Sequence, residues 1–268
     1  MLVNCRPDTL LGQFSKYDAD MILPASPSPF RRRLARLYFQ LRHPNRFRLM
    51  QEQTARENCI FVHIPKCAGT SIRQSLLQRK GAHRTLESYR TMLPKDVFER
   101  CFKFSFVRNP WDRLVSAFFF FKKTPLKTNQ RWAAKNLSPF KDFDSFVRQW
   151  VTRQNIWSYV IFRPQFHFIS IEKQLGLDFV GYYENLAEDF IIVSEKINRP
   201  ATLREDNRLG GRATDYREYY NDETREIVAE AYAEDIALLG YSFDNSSLPD
   251  QLAARNGQAQ SAPKMCLP

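Results

Sequence analysis

Two short segments of this 268-residue chain combine residue types suited to holding an anion. The first is Pro65-Lys66-Cys67-Ala68-Gly69-Thr70-Ser71, directly after the apolar run Cys59-Ile60-Phe61-Val62-His63-Ile64. Unpaired backbone N–H groups at a helix start point at any anion placed there, and the helix dipole adds to the attraction. Gly69 permits close approach of the backbone, and Lys66 supplies a mobile cation. Thr70 and Ser71 offer hydroxyls to the anion or caps to the helix. A Walker loop for ATP or GTP needs Gly-Lys-Ser/Thr, whereas here the lysine comes before the glycine, which argues against kinase or ATPase chemistry. A tight strand-to-helix turn with a surface lysine explains this segment taken alone.

The second segment, Arg108-Asn109-Pro110-Trp111-Asp112-Arg113-Leu114-Val115-Ser116, follows the run Phe102–Val107. Asn109 is a good N-cap, Pro110 suits the first helical position, and Asp112 favours the first turn electrostatically. Trp111, Leu114, Val115 and Phe118 form an apolar stripe that docks the helix. Arg108, at the strand end, can grip a phosphate with two parallel hydrogen bonds, and Ser116 can add a hydroxyl to the same anion. A capped core helix with a surface arginine explains this segment too, but leaves its joint occurrence with the first to chance.

The elements that position these segments alternate strand and helix. Buried-type strands are expected at Cys59–Ile64, Phe102–Val107 and Asp178–Tyr183, with helices from Ser71, after Arg108 and over Asp222–Leu239. In the last of these, Ile227, Val228, Ala231, Tyr232 and Ile236 share one face. Such alternation implies an α/β fold, a P-loop-like three-layer α/β/α arrangement around a central parallel sheet. Ligands bind such sheets at the carboxyl ends of the strands, where both segments fall. Residues 1–50 read as a basic N-terminal extension, 51–245 as the folded domain, and 246–268 as a flexible C-terminal tail. Within the extension, the turn-rich Pro24–Pro29 precedes a basic amphipathic helix over Phe30–Leu49, with Leu34, Leu37, Tyr38 and Leu41 at helical spacing among arginines.

The two segments together resemble the 3'-phosphoadenosine 5'-phosphosulfate (PAPS) binding elements of the carbohydrate sulfotransferase family, which includes heparan sulfate 2-O-sulfotransferases, chondroitin and dermatan enzymes and bacterial relatives. Arg163-Pro164-Gln165, Tyr183-Glu184-Asn185, Asp215–Tyr220 and Asp235–Phe243 also resemble the family, so the likeness spans roughly 58–245. It implies a sulfotransferase domain in which Pro65, Lys66, Cys67, Ala68, Gly69, Thr70 and Ser71 hold the 5'-phosphosulfate of PAPS while Arg108 and Ser116 hold its 3'-phosphate. Where bacterial relatives show an Asn-x-Ser element, this chain reads Asn207-Arg208-Leu209-Gly210-Gly211-Arg212, which leaves Arg212 as a further phosphate contact.

Transfer to an alcohol needs a general base, and histidine is the usual choice. Of the four histidines, His43 lies in the extension, His63 within the first strand, and His167 far along the chain from both segments. His83 in Gly81-Ala82-His83-Arg84-Thr85 matches the position of the basic histidine in the 2-O-sulfotransferase branch and is the expected base. Lys66 is the expected stabiliser of leaving-group charge, with no metal. Glu184 and Asn185 are expected to organise the site or the strand end.

Composition sets the remaining bounds. A net charge of +11 predicts attraction to anions, whether a phosphorylated cofactor, an acidic glycan, a nucleic acid or an anionic lipid surface. Non-catalytic polyanion binding and nucleotide kinase activity therefore stand as alternatives to the sulfotransferase reading. The basic residues are not interleaved with aromatics in a nucleic-acid-binding pattern, so no nucleic-acid partner is expected. The acceptor is expected to be a carbohydrate, with the lysines and arginine between Lys122 and Lys141 facing an acidic one. Five scattered cysteines without CxxC spacing, and the absence of eighteen consecutive apolar residues, suggest a cytoplasmic chain without a transmembrane segment. Peripheral membrane contact falls to the basic N-terminal helix.

Overall fold

The computed structural model describes residues 28–79, 81–123, 136–204 and 215–261. Arg212 and the central part of the Lys122-to-Lys141 run, 124–135, lie outside them. In chain order come helices α1 (Pro29–Arg42) and α2 (Pro44–Glu57), strand β1 (Cys59–Val62), and helices α3 (Gly69–Leu77), α4 (Leu86–Met92) and α5 (Lys95–Arg100). Strand β2 (Phe102–Val107), helix α6 (Pro110–Lys123), helix α7 (Phe143–Trp150) and the short helix α8 (Phe166–Ile169) follow. A two-residue hairpin of β3 (Ser170–Ile171) and β4 (Gln174–Leu175) leads to strand β5 (Phe179–Tyr182). Helices α9 (Leu186–Lys196), α10 (Asp222–Ala231), α11 (Ala233–Leu239) and α12 (Leu248–Ser261) complete the chain.

The central sheet is parallel with strand order β1-β2-β5. Strand residues alternate between two apolar clusters, which is why Cys59–Val62 is apolar throughout, while in β2 Lys103 and Ser105 interrupt the pattern and the buried Ser105 hydroxyl donates to the Val62 carbonyl at 2.7 Å. Cys59, Phe61, Phe104 and Phe106 face α3 through Ile72, Leu76 and Leu77 and α9 through Phe190 and Val193. Ile60, Val62 and Val107 face the larger cluster built by α6, α7 and their neighbours. Helices therefore cover both faces, and the expected α/β architecture is the observed one. Gly181 sits opposite Phe106, whose ring fills the space a Cβ would occupy, 2.6 Å away.

Three expected elements differ in detail. The basic helix is two helices: a residue before proline is pushed out of the helical region, and His43, before Pro44, has φ −138 and ψ 54. These helices also bring Phe39, Phe47 and Met50 into the main core, so the stretch set apart as an extension is packed against the domain. The helix over Asp222–Leu239 breaks at Tyr232, whose hydroxyl is held by the Phe162 carbonyl at 2.7 Å, while Val228, Ala231 and Tyr232 are buried as their periodicity requires. Where composition suggests a tail, α12 lays Gln251 against the Leu239 carbonyl and Arg255 against Asp189, at 2.6 and 2.8 Å.

Candidate active site

The first segment bridges β1 and α3 in a turn whose backbone enters the left-handed region at Lys66 (φ 70) and Ala68 (φ 55). Alternating left-handed and ordinary backbone turns successive N–H groups toward one concave side, an arrangement that suits an anion. Helix α3 begins at Gly69, and Ala68 in the cap position makes no side-chain hydrogen bond. The capping role open to Thr70 and Ser71 is thus not taken up: both lie inside the helix, Thr70 exposed and Ser71 buried. Gly69 is required for a reason the sequence hid. A Cβ there would meet the His63 ring at 1.9 Å, so the glycine makes room for an imidazole beneath the loop.

His83 stands against that imidazole. The two rings are 4.3 Å apart, and His83 Nδ1 donates to the His63 backbone carbonyl at 3.0 Å. A carbonyl can only accept, so the proton is on Nδ1 and the lone pair on Nε2. Burial lowers the His83 pKa below its ordinary value, the carbonyl contact opposes this, and the positive charges of Arg73 and Lys66 lower it further. The ring is therefore neutral near pH 7, in the tautomer that can accept a proton at Nε2. His63, mostly buried and stacked on Phe61 at 5.8 Å, is held neutral still more strongly by burial. His167 is buried against Trp157, with a pKa lowered to about 4 by burial and Arg163.

Lys66 Nζ lies 4.3 Å from the centre of the Phe120 ring on α6. Arg108, the last residue before Asn109 and α6, is 5% exposed. Its Nε and Nη2 both reach Asp112 at 2.7 Å, Nη1 donates to the Lys66 carbonyl at 3.1 Å, and the guanidinium lies 3.8 Å from the Tyr183 ring centre. Arg108 thus ties the two segments together. These contacts leave one N–H on each terminal nitrogen for a further acceptor. Asn109 caps α6 as expected, accepting from Trp111 N at 3.0 Å. Its own N–H donates to Glu184 at 2.7 Å, and Tyr241 donates to the other Glu184 oxygen at 3.1 Å, which gives Glu184 its organising place. Asn185 donates to Asp189 at 3.0 Å and belongs to the strand end. Ser116 is buried on α6, about one turn beyond Asp112.

Gln165 and Asp235 join the segments from behind, and residue chemistry alone assigned them no role. The fully buried Gln165 side chain accepts from Arg108 N at 2.9 Å, donates to Arg108 O at 2.8 Å and accepts from the Cys67 thiol at 3.4 Å. Asp235, also fully buried, accepts from the backbone N–H groups of Gln165 and Phe166, both at 2.8 Å. Only their places in family-like stretches signalled them, because a buried amide that clamps backbone has no sequence pattern of its own.

Cys67 is 1% exposed, and burial pushes its thiol up to about 12. Cys59 is raised likewise to about 12, and Cys101 is raised and buried. Thiolate is the reactive form, so these three should resist iodoacetamide at pH 8 in the native state and react after unfolding. Peptide mass spectrometry reads this directly, and rapid native labelling of Cys67 would contradict the buried loop geometry.

Among the described residues no group of three or more His, Cys, Asp or Glu side chains is arranged to hold a metal ion. Among them, too, no helix is long and apolar enough to cross a membrane.

No solved structure matches the chain. An uncharacterized protein of Archaeoglobus fulgidus is 32% identical over 126 residues, covering 47% of this chain and 90% of that protein. The model of the sulfotransferase family matches residues 53–242, from the end of α2 to just beyond α11, and so takes in Pro65–Ser71, Arg108–Ser116, His83, Gln165 and Asp235. The chain belongs to the sulfotransferase family.

Proposed function

We propose that this sulfotransferase moves the sulfuryl group of PAPS onto a hydroxyl of a carbohydrate acceptor, with His83 as general base and Lys66 as electrostatic stabiliser. The reading is supported by His83, its Nδ1 held by the His63 carbonyl at 3.0 Å, beside the turn that ends β1 and opens α3 without a side-chain cap.

The residues fit such a donor. Backbone N–H groups from Lys66 through Ser71, with the Lys66 ammonium, suit the 5'-phosphosulfate. The open N–H groups of Arg108, with Ser116 on the helix that follows it, suit the 3'-phosphate, and Arg212 would add to them. When bound, the donor supplies an activated sulfate and a phosphate leaving group. His83 Nε2 takes the proton of the acceptor hydroxyl as its oxygen bonds to sulfur. Lys66 and the α3 N-terminus stabilise the negative charge left as the S–O bond to phosphate breaks. The products are a sulfate ester, 3',5'-adenosine bisphosphate and a proton on His83. The basic residues between Lys122 and Lys141 support an acidic glycan as acceptor. The lysine order of the loop speaks against a kinase.

Thermal unfolding tests donor binding. At about a hundredfold excess over Kd, 3',5'-adenosine bisphosphate should raise Tm by roughly 5–10 °C, with ATP and magnesium or duplex DNA giving much smaller shifts. Arg108→Lys keeps a positive charge against Asp112 but loses the fork, and should weaken the bisphosphate response. A larger shift with ATP and magnesium would overturn the reading. Transfer of labelled sulfate to a panel of neutral and acidic polysaccharides then tests the acceptor class.

A further inference from the structure

Helix α1 is mounted with its apolar side outward. On a helical wheel Phe30, Leu34, Leu37 and Leu41 fall on one stripe with Tyr38 at its edge. Those residues are the exposed ones: Phe30 and Leu41 at 70%, Leu37 at 52%, Leu34 at 51%. The opposite face holds the helix to the domain through Phe39, which is buried, and through two arginines. Arg32 pairs with Glu87 at 3.5 Å, and Arg36 donates to the Leu93 carbonyl at 3.5 Å while lying over the Phe47 ring. A helix seeking only to bury apolar area would have been mounted the other way round.

The rim of the stripe decides what covers it. Arg31, Arg33 and Arg42 flank it and are exposed, and Arg46 is exposed on α2. From 28 to 51 the chain holds no aspartate or glutamate. A second copy would set arginines against arginines across a two-fold axis, which costs free energy instead of contributing it. An apolar stripe rimmed by arginines, with no acid among them, matches a surface that offers hydrocarbon and negative charge together. We infer that α1 is a docking helix that lies in the headgroup layer of an anionic lipid membrane, with Phe30, Leu34, Leu37 and Leu41 inserted and Arg31, Arg33 and Arg42 on lipid phosphates. The inference is independent of the acceptor proposed above.

Flotation of the full-length chain with vesicles tests it. Vesicles of phosphatidylcholine mixed with phosphatidylglycerol should carry the protein, vesicles of phosphatidylcholine alone should not, and salt should weaken the binding. Leu37→Asp with Leu41→Asp should cut binding by at least about tenfold. Arg31→Glu with Arg42→Glu should cut it by roughly fivefold or more for each residue. All four side chains are exposed, so each variant should keep the parent's Tm and its shift with adenosine bisphosphate; this control separates failure of docking from failure of the fold or of the donor site. The inference is overturned if the full chain ignores anionic vesicles, if the aspartate variant binds them as the parent does, or if sedimentation shows a dimer that the aspartate variant dissolves. It is overturned too if only a chain lacking 1–27 binds, since those residues would then be what covers the stripe.

Discussion

Replacing His83 by alanine is expected to lower kcat by about two to four orders of magnitude while leaving the Tm shift with adenosine bisphosphate in place. The expectation follows from where the ring is held. Its Nδ1 proton is committed to the His63 carbonyl, so Nε2 is the nitrogen that accepts the acceptor's proton. Neither nitrogen is needed to grip the donor, whose proposed contacts are the α3 N-terminus, Lys66 and Arg108. Donor affinity and turnover should therefore separate in this variant. Near-normal turnover with intact bisphosphate binding would remove His83 from the mechanism.

The same ring sets a pH dependence. A base works only when neutral, and burial with the nearby Arg73 and Lys66 charges lowers the His83 pKa. The acid limb of kcat should therefore lie below the ordinary histidine value of about 6.5, with a plateau above it, and the limb should vanish in His83→Ala. Stability must be followed in parallel, because His63 and His167 are also held neutral by burial. A histidine with a lowered folded-state pKa contributes its full stability above about 6.5 and loses it as pH falls toward the folded value, since the unfolded chain takes up the proton first. The enzyme should thus lose both activity and stability on acidification. Rates need to be taken where a melting curve shows the chain folded.

Much of the frame around this candidate site was legible in the sequence because its parts obey local rules. The run Cys59–Ile64 reads as a buried strand because it is short, largely apolar and followed by a glycine-containing turn, and the observed β1 covers its first four residues. Asn109-Pro110 is a helix start wherever it follows such a strand. The left-handed backbone at Lys66 and Ala68 was not legible, since neither residue type favours it, and surrounding contacts must hold it there. Gly69 was legible as an allowance for close approach, but the approaching group is the His63 ring. The outward mounting of α1 was also hidden. Periodicity shows that a helix has an apolar side, and only packing shows which side faces the protein. Gln165 and Asp235 act through backbone atoms of other segments, so nothing in their neighbours' identities announces them.

The loop backbone and the Lys66 charge can be tested together by comparing two replacements. Lys66→Ala and Lys66→Gly both delete the ammonium, and each should lower kcat by about two to three orders of magnitude, the usual loss when one preorganised donor to a developing oxyanion is removed. Both also lose the contact between Nζ and the Phe120 ring, about 0.5–1 kcal/mol at a partly exposed site. They differ in the backbone. At φ 70 a residue with a Cβ is held in the left-handed region at roughly 1–2 kcal/mol, and glycine is not. Glycine's greater freedom in the unfolded chain costs about 0.5–1 kcal/mol, less than or equal to the relief. Lys66→Gly should therefore be at least as stable as Lys66→Ala, the reverse of the usual order of these two residues, with turnover equally poor. Urea unfolding of both variants beside single-turnover sulfate transfer reads the two quantities separately. If the alanine variant is clearly the more stable, the strained turn is not the conformation of the loop in solution. If either variant keeps parental turnover, the leaving phosphate is stabilised by the α3 N–H groups without Lys66, since a charge that leaves no trace in kcat was not facing the reacting atoms.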